Sequence, residues 1–290
     1  MAVEVAPVSR LDWSRNAAAL TDPSWWQGKL KPRPAVDWYL TRVDSAMQKL
    51  KRRLGEAAEA GSDGAPISML THSAGGWLGR VYLLDWGVAG VDRFVSLGSP
   101  HAPPPEGVLD QTRGILTWVN QAAPGAFHDS VSYTTICGRF VRGESLTGGG
   151  APAPDAAVAA TAAAARAAAS GALSSASDLE EPRLGSTAEV AAARAAWIAK
   201  FAGAGYQQVC GKAEVWGDFI VPQPAAHLDG ATQVDLEGVF HSPLGEQLPF
   251  FGPWYGSPQI LEQWVHHLTG EAAPQGQVAA VPSAVRVAAP

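Results

Sequence analysis

Apolar positions along this chain alternate between two kinds of spacing. After Pro32-Arg33-Pro34, the residues Val36, Leu40, Val43, Met47, Leu50 and Leu54 fall alternately four and three apart, which paints one face of an amphipathic helix. Ile67-Ser68-Met69-Leu70, Arg93 to Gly98, Val131 to Cys137 and Ala231 to Leu236 are short apolar-rich runs, and they predict strands. Helix-compatible stretches lie between them, at Trp77 to Leu84, Leu109 to Gln121 and Glu189 to Phe201. The last of these carries Val190, Trp197, Ile198 and Phe201 on one side and is expected to line a pocket. Such alternation predicts an α/β chain whose mainly parallel sheet is covered by helices on both faces. Val3 to Val8 reads as one more strand, Trp13 to Lys31 as a Trp-containing loop, and Ile260, Leu261, Trp264 and Leu268 as the apolar side of a terminal helix.

Two stretches break this pattern. From Gly148 to Ser177 alanine dominates, with Gly, Pro and Ser and no apolar stripe to bury. Alanine favours helix, but a helix without such a stripe has nothing to pack, so the stretch reads as a surface insertion in a domain covering residues 1–270. Residues 271–290, rich in Ala, Pro and Val, read as a disordered tail.

Composition narrows the function classes. The chain has 290 residues, enough for one large domain with a real core, and a net charge of −6 that gives no footprint for nucleic acid. No apolar run reaches the length of a membrane span. The start, Met1-Ala2-Val3-Glu4-Val5, lacks the parts of a signal peptide, which leaves the compartment open between plastid and cytoplasm. Cys137 and Cys210 form neither a disulfide framework nor a metal pattern and are expected as buried free thiols. No cofactor or metal is called for. Lys49, Lys51, Arg52 and Arg53 at the end of the long helix read as a solvated, dipole-compatible helix end.

The chemistry concentrates in Thr71-His72-Ser73-Ala74-Gly75-Gly76, between the strand at Ile67 and the helix at Trp77. Strand, tight turn with a central Ser, then helix is the layout of a nucleophile elbow, which lifts the serine hydroxyl clear of the sheet. Thr71 stands where the G-x-S-x-G pattern has its first glycine. An acyl-transfer triad on such a sheet runs in the order Ser, acid, His. Downstream, Asp218 ends the apolar segment of Trp216-Gly217-Asp218-Phe219-Ile220-Val221-Pro222, and His241 follows the last predicted strand. Loops at the carboxyl ends of parallel strands can bring such groups together. His227 with Asp229 is the rival base and acid pair, placed less well than His241. His72 is expected to point away from the triad side, and His101 to shape the site from a nearby loop. His266 and His267 read as structural or surface residues. Trp216 and Trp254 are the tryptophans placed to touch substrate.

These motifs resemble α/β-hydrolase-fold lipases and esterases, in particular the soluble plant and algal proteins similar to the GPI inositol-deacylase-like hydrolases. Leu70-Thr71-His72-Ser73-Ala74-Gly75-Gly76, Val95-Ser96-Leu97-Gly98-Ser99-Pro100-His101, Gly217 to Pro222 and Val239-Phe240-His241 carry the likeness, over residues 3 to 269 without the Ala-rich insert. The resemblance implies the α/β-hydrolase fold, with Ser73 as nucleophile, Asp218 as acid and His241 as base. The family usually has Gly where this chain has Phe219. It also implies an oxyanion hole with one donor from the N–H of Ala74 and a second from a loop after an earlier strand. That loop would precede Val3, so the chain reads as an N-terminally incomplete hydrolase domain. The expected function is a serine carboxylic-ester hydrolase acting through an acyl-enzyme on an acyl-ester or lipid-like small molecule. The alternatives are a non-catalytic binding or scaffold protein with an incomplete oxyanion hole, or an acyltransferase using the same triad.

Overall fold

The computed structural model describes residues 2–59, 66–146, 187–247 and 251–271. At its centre lie four parallel strands, β1 (Ile67–His72), β2 (Val91–Leu97), β3 (Ser132–Arg139) and β6 (Thr232–Glu237), hydrogen-bonded in that order. Just past β3 the chain forms β4 (Val141–Arg142), which pairs antiparallel with β5 (Trp216–Gly217). The longer helices are α1 (Asp37–Glu59), α2 (Gly75–Trp86), α3 (Ile115–Ala122), α4 (Thr187–Cys210) and α5 (Pro258–Thr269). The expected α/β class with a parallel sheet is therefore present.

Strand alternation divides the core into two layers. In β2, Phe94 joins Ile67, Tyr133 and the inner faces of α1, α2 and α3. Its neighbours Val95 and Leu97 point the other way and pack with Ile136, Leu236 and the α5 residues Ile260 and Trp264. Both faces of the sheet are thus covered, as parallel strands with helical crossovers require. The stripe read from the sequence is the one α1 buries: Leu40, Val43 and Met47 lie in the core with Val36 just ahead of the helix, and Leu50 and Leu54 pack at its margin. Each such side chain, fully buried, contributes about 1.5–3 kcal/mol. Behind α4, Ile198, Ala199, Ala202 and Tyr206 form a smaller cluster with Val141.

Several expectations need correction. Val3 to Val8 is not a strand. It runs without a ladder along α1, where Arg42 donates to the Pro7 carbonyl at 2.8 Å and Arg53 to the Val3 carbonyl at 3.2 Å. Burial does alternate along it, but out of phase with the valines: Val3 and Val5 are exposed, and Glu4, Ala6 and Val8 are half-buried. Among the described residues the outer strands of the sheet are β6 and β1, where Leu70 is 45% exposed. Trp13 to Lys31 is not a loop throughout: Arg10–Thr21 is a 3₁₀ helix, held by Asp12, which accepts from the Ser9 N–H and pairs with Arg42. In α4, Ile198 is buried while Trp197 is 49% exposed, so the two do not share a packed side. Cys137 is buried, but Cys210 is only half-buried, and both thiols are free. The side chain of Val190, the Ala-rich stretch at 148–177 and the tail beyond residue 271 lie outside what is described. Among the described residues, no helix is long and apolar enough to cross a membrane.

Candidate active site

The site forms at the carboxyl ends of β1, β2, β3 and β6. Leaving β1, Ser73 turns into the left-handed region at φ 54, and α2 begins two residues later. This conformation disfavours a side chain at a cost of about 1–2 kcal/mol, and strained residues of this kind cluster at functional sites. The turn is tied down on both sides: the Ser73 N–H donates to the Leu97 carbonyl at 3.0 Å, and the Gly76 N–H donates to the Ser73 carbonyl at 3.1 Å. Gly76 is required by close approach, since a Cβ there would overlap Ser99 and come within 2.9 Å of His101 Cε1. The bulk of Thr71 is taken up by glycines on the facing helix. Its methyl lies 3.1 Å from where a Gly79 Cβ would stand, and its hydroxyl donates to the Val95 carbonyl at 3.2 Å.

Ser73 Oγ lies 3.1 Å from His241 Nε2, and His241 Nδ1 lies 2.7 Å from Asp218 Oδ2. With the carboxylate as acceptor, Nδ1 carries the ring proton and Nε2 is free to accept from the serine hydroxyl. Asp218 is fully buried, and His241 is 7% exposed. Short-range backbone contacts hold the pair, since the His241 N–H donates to the Asp218 carbonyl at 3.0 Å. The turn after Asp218 folds back on its own side chain: Oδ1 accepts from the N–H groups of Ile220 at 3.1 Å and Val221 at 2.7 Å. The structure thus brings together Ser73, Asp218 and His241, the residues singled out in the sequence. Ala74, the fourth, is the N-cap of α2. Its N–H belongs to the set at a helix start that has no intrahelical acceptor, and the helix dipole there favours negative charge.

Phe219 occupies the position where glycine was expected, and the reason for that expectation is visible in its φ of 88. The strained backbone is held from two directions. Its N–H donates to the Tyr206 hydroxyl at 2.9 Å, and its ring stacks on Phe201 at 5.6 Å between centroids and meets Phe240 and Phe251. Phe219 and Phe240, the chain neighbours of Asp218 and His241, therefore belong to one ring cluster.

Glycines at the ends of two strands make room for the acid. Gly98, at φ 49, sits where a Cβ would overlap Asp218 Oδ2 and stand 2.8 Å from the Tyr255 hydroxyl. Across from it, a Cβ on Gly138 would come within 3.0 Å of Asp218 Cβ. Gly98 is the glycine of the Leu97-Gly98-Ser99-Pro100-His101 motif, so the motif's local job here is clearance for a carboxylate that arrives from far along the chain.

Of the other histidines, His72 departs from expectation. His72 does not point away: its Nε2 lies 2.8 Å from the His241 carbonyl, and burial, followed by the neighbouring His241, pushes it down to about 4. His101 is fully buried behind the elbow, with Nε2 2.8 Å from Ser96 Oγ and its carbonyl accepting from Asn120 at 2.6 Å. Burial first, and then Arg80, push it well below the usual histidine range, so it acts as a neutral strut. The rival pair does not form. His227 bonds Thr135 Oγ1 at 3.0 Å and Asp235 at 3.1 Å, away from Ser73, while the Asp229 carbonyl accepts from Ala126. Trp216 lies beneath the Arg139 guanidinium at 5.0 Å, and Trp254 meets the ring of His72 edge-on at 6.4 Å. Tyr255 and Tyr206 escape a reading of the sequence altogether, since no local pattern marks their contacts with the Asp218 turn. Among the described residues, no group of three or more His, Cys, Asp or Glu is gathered to hold a metal ion.

No family model, curated protein or solved structure matches the chain.

Proposed function

We propose that this protein is a serine carboxylic-ester hydrolase of the α/β-hydrolase type, with Ser73 as nucleophile, His241 as general base and Asp218 as its orienting acid. The observation that carries the reading is the continuous hydrogen-bonded line from Ser73 Oγ through the His241 ring to Asp218, starting on a strained turn between a strand and a helix. A structural serine needs none of these features together.

In the proposed reaction Ser73 Oγ bonds to the ester carbonyl carbon while its proton passes to His241 Nε2. The carbonyl oxygen becomes an oxyanion, which the Ala74 N–H at the start of α2 is placed to stabilise. Asp218 stabilises the imidazolium, which then protonates the leaving alcohol as the C–O bond breaks. Water attacks the acyl-enzyme with His241 again taking the proton, and collapse releases the carboxylic acid and restores the Ser73 hydroxyl. Transfer to another alcohol would follow the same steps. The aromatic cluster beside the acid and base, in which Phe140, Phe219 and Phe251 are only partly buried, supports an apolar or lipid-like acyl group.

Turnover of short p-nitrophenyl esters tests the reading. The parent chain should hydrolyse them, and Ser73→Ala should lose roughly a thousandfold or more of that rate with its fold unchanged. Equal rates in both would remove Ser73 from the chemistry, and no turnover of any ester would favour a non-catalytic binding role.

A further inference from the structure

Asp218 receives more hydrogen bonds than a base-orienting carboxylate needs. Oδ1 takes two backbone N–H groups, from Ile220 and Val221. Oδ2 takes two side chains: His241 Nδ1 at 2.7 Å and the Tyr255 hydroxyl at 2.8 Å. The phenol is itself fixed, since the Gly138 N–H donates to its oxygen at 2.8 Å. That bond leaves the phenol proton free for Asp218 alone. Tyr255 is completely buried. It lies in the loop before α5, 37 residues from Asp218 in sequence and 117 from Gly138, so its only route to the site is through the fold.

We infer that Tyr255 is a positioning residue of the triad, which acts on His241 through Asp218. It occupies one lone pair of Oδ2 and so fixes the other on Nδ1, and it draws negative charge away from the oxygen that faces the imidazole. Hydrogen bonds donated to a carboxylate stabilise its charge and weaken its pull on a further proton. Because the backbone of Ile220 and Val221 still anchors Oδ1, removing the phenol should leave the carboxylate in place but more strongly charged toward His241. The imidazolium would then be held more tightly, and the base would become free only at higher pH. This inference rests on the ester-hydrolase reading for its catalytic meaning.

The surroundings leave few competing charges. Cys137 on β3 and Tyr206 on α4 face Asp218, and burial pushes both well above their usual values, so they stay neutral. His72 at the end of β1 is held neutral, and burial likewise pushes the Tyr255 phenol well up. Arg139, at the end of β3, is paired with Glu237.

Two variants and two readouts test the inference. Tyr255→Phe keeps the ring and removes only the hydroxyl. Tyr206→Phe is the matched control, because that buried hydroxyl meets the backbone of Phe219 and Val141 and not the carboxylate. The first readout is the pH dependence of Ser73 labelling by a fluorophosphonate. The second is the titration of the histidine ring proton whose resonance His241→Gln removes. In Tyr255→Phe both should move to higher pH by about half a unit or more, with the labelling plateau retained to within several-fold. Tyr206→Phe should leave both in place while lowering thermal stability. Unmoved midpoints in Tyr255→Phe, or equal movement in Tyr206→Phe, would overturn the inference. If the parent chain is not labelled at all, the hydrolase reading fails while the resonance still decides the link to Tyr255. If Tyr255→Phe does not fold, replacing tyrosine with meta-fluorotyrosine keeps every ring and strengthens the donor. The titration should then move to lower pH, and an unmoved one overturns the inference.

Discussion

His72 Nε2 lies 2.8 Å from the carbonyl oxygen of His241, and the two imidazole rings stand 4.8 Å apart. A carbonyl only accepts, so His72 carries its proton on Nε2 and donates. The proposed base is thereby held at both backbone groups, its N–H by the Asp218 carbonyl and its own carbonyl by His72. The residue before Ser73 thus steadies the loop that carries His241.

This contact carries a signature in pH. Folding lowers His72 from 6.5 to about 4, chiefly through burial. Between those values the unfolded chain binds a proton that the folded chain refuses, so stability falls as the pH is lowered through that window and levels off beneath it. The full effect is up to about 3 kcal/mol. Glutamine can place a donor near the same carbonyl without titrating. Chemical denaturation of the parent and His72→Gln from neutral pH down to the bottom of the window should show a shallower loss in the variant. His101, pushed the same way, remains in both and cancels. Parallel losses would mean that His72 is not the group refusing the proton.

Gly98 should be intolerant of even a methyl group. A Cβ there would overlap Asp218 Oδ2, and its φ of 49 is unfavourable for any side chain. Gly98→Ala should cost roughly 2 kcal/mol or more in stability. Any variant that still folds should have lost most of its ester turnover, because Asp218 must move. Thermal melting with a turnover assay measures both. A stable, fully active Gly98→Ala would show that the strand end does not confine the acid.

Phe219 gives a comparison free of its own packing. Phe219→Ala and Phe219→Gly both remove the ring from the aromatic cluster, but only glycine takes a φ of 88 without cost. The glycine variant should therefore be more stable than the alanine variant by about 1 kcal/mol, the reverse of their order at ordinary positions. Urea denaturation of the two would show it. Alanine equal to or better than glycine would mean that the turn relaxes once the ring is gone.

Much of this architecture is legible in the sequence, and the failures share a physical cause. Leu40, Val43 and Met47 announce α1 because a helix half in the core must repeat its apolar residues on one face. The runs around Phe94 and Ile136 announce buried strands because parallel strands are covered on both sides. Ser73, Asp218 and His241 stand out because each sits at the end of such a run, where loops converge. What pattern reports is burial and not partners. Val3 to Val8 shows where even that fails: Val3 and Val5 are exposed, and the half-buried side is Glu4, Ala6 and Val8, with Glu4 paired to Arg53 of α1. His72 was expected to face away, yet Ser68, Leu70 and His72 alternate onto the sheet face that α5 and the His241 loop cover. Tyr255 is silent in the sequence, since its partners Gly138 and Asp218 meet it only once the strands are in register.

The central claim, that Ser73 is an activated nucleophile, is tested most directly by locating the adduct of a fluorophosphonate probe by mass spectrometry. The account predicts a single modified residue, Ser73, with labelling abolished in Ser73→Ala and strongly slowed in His241→Ala while both variants remain folded. An adduct on another residue, labelling that persists in Ser73→Ala, or a parent chain that the probe leaves unmodified would contradict it.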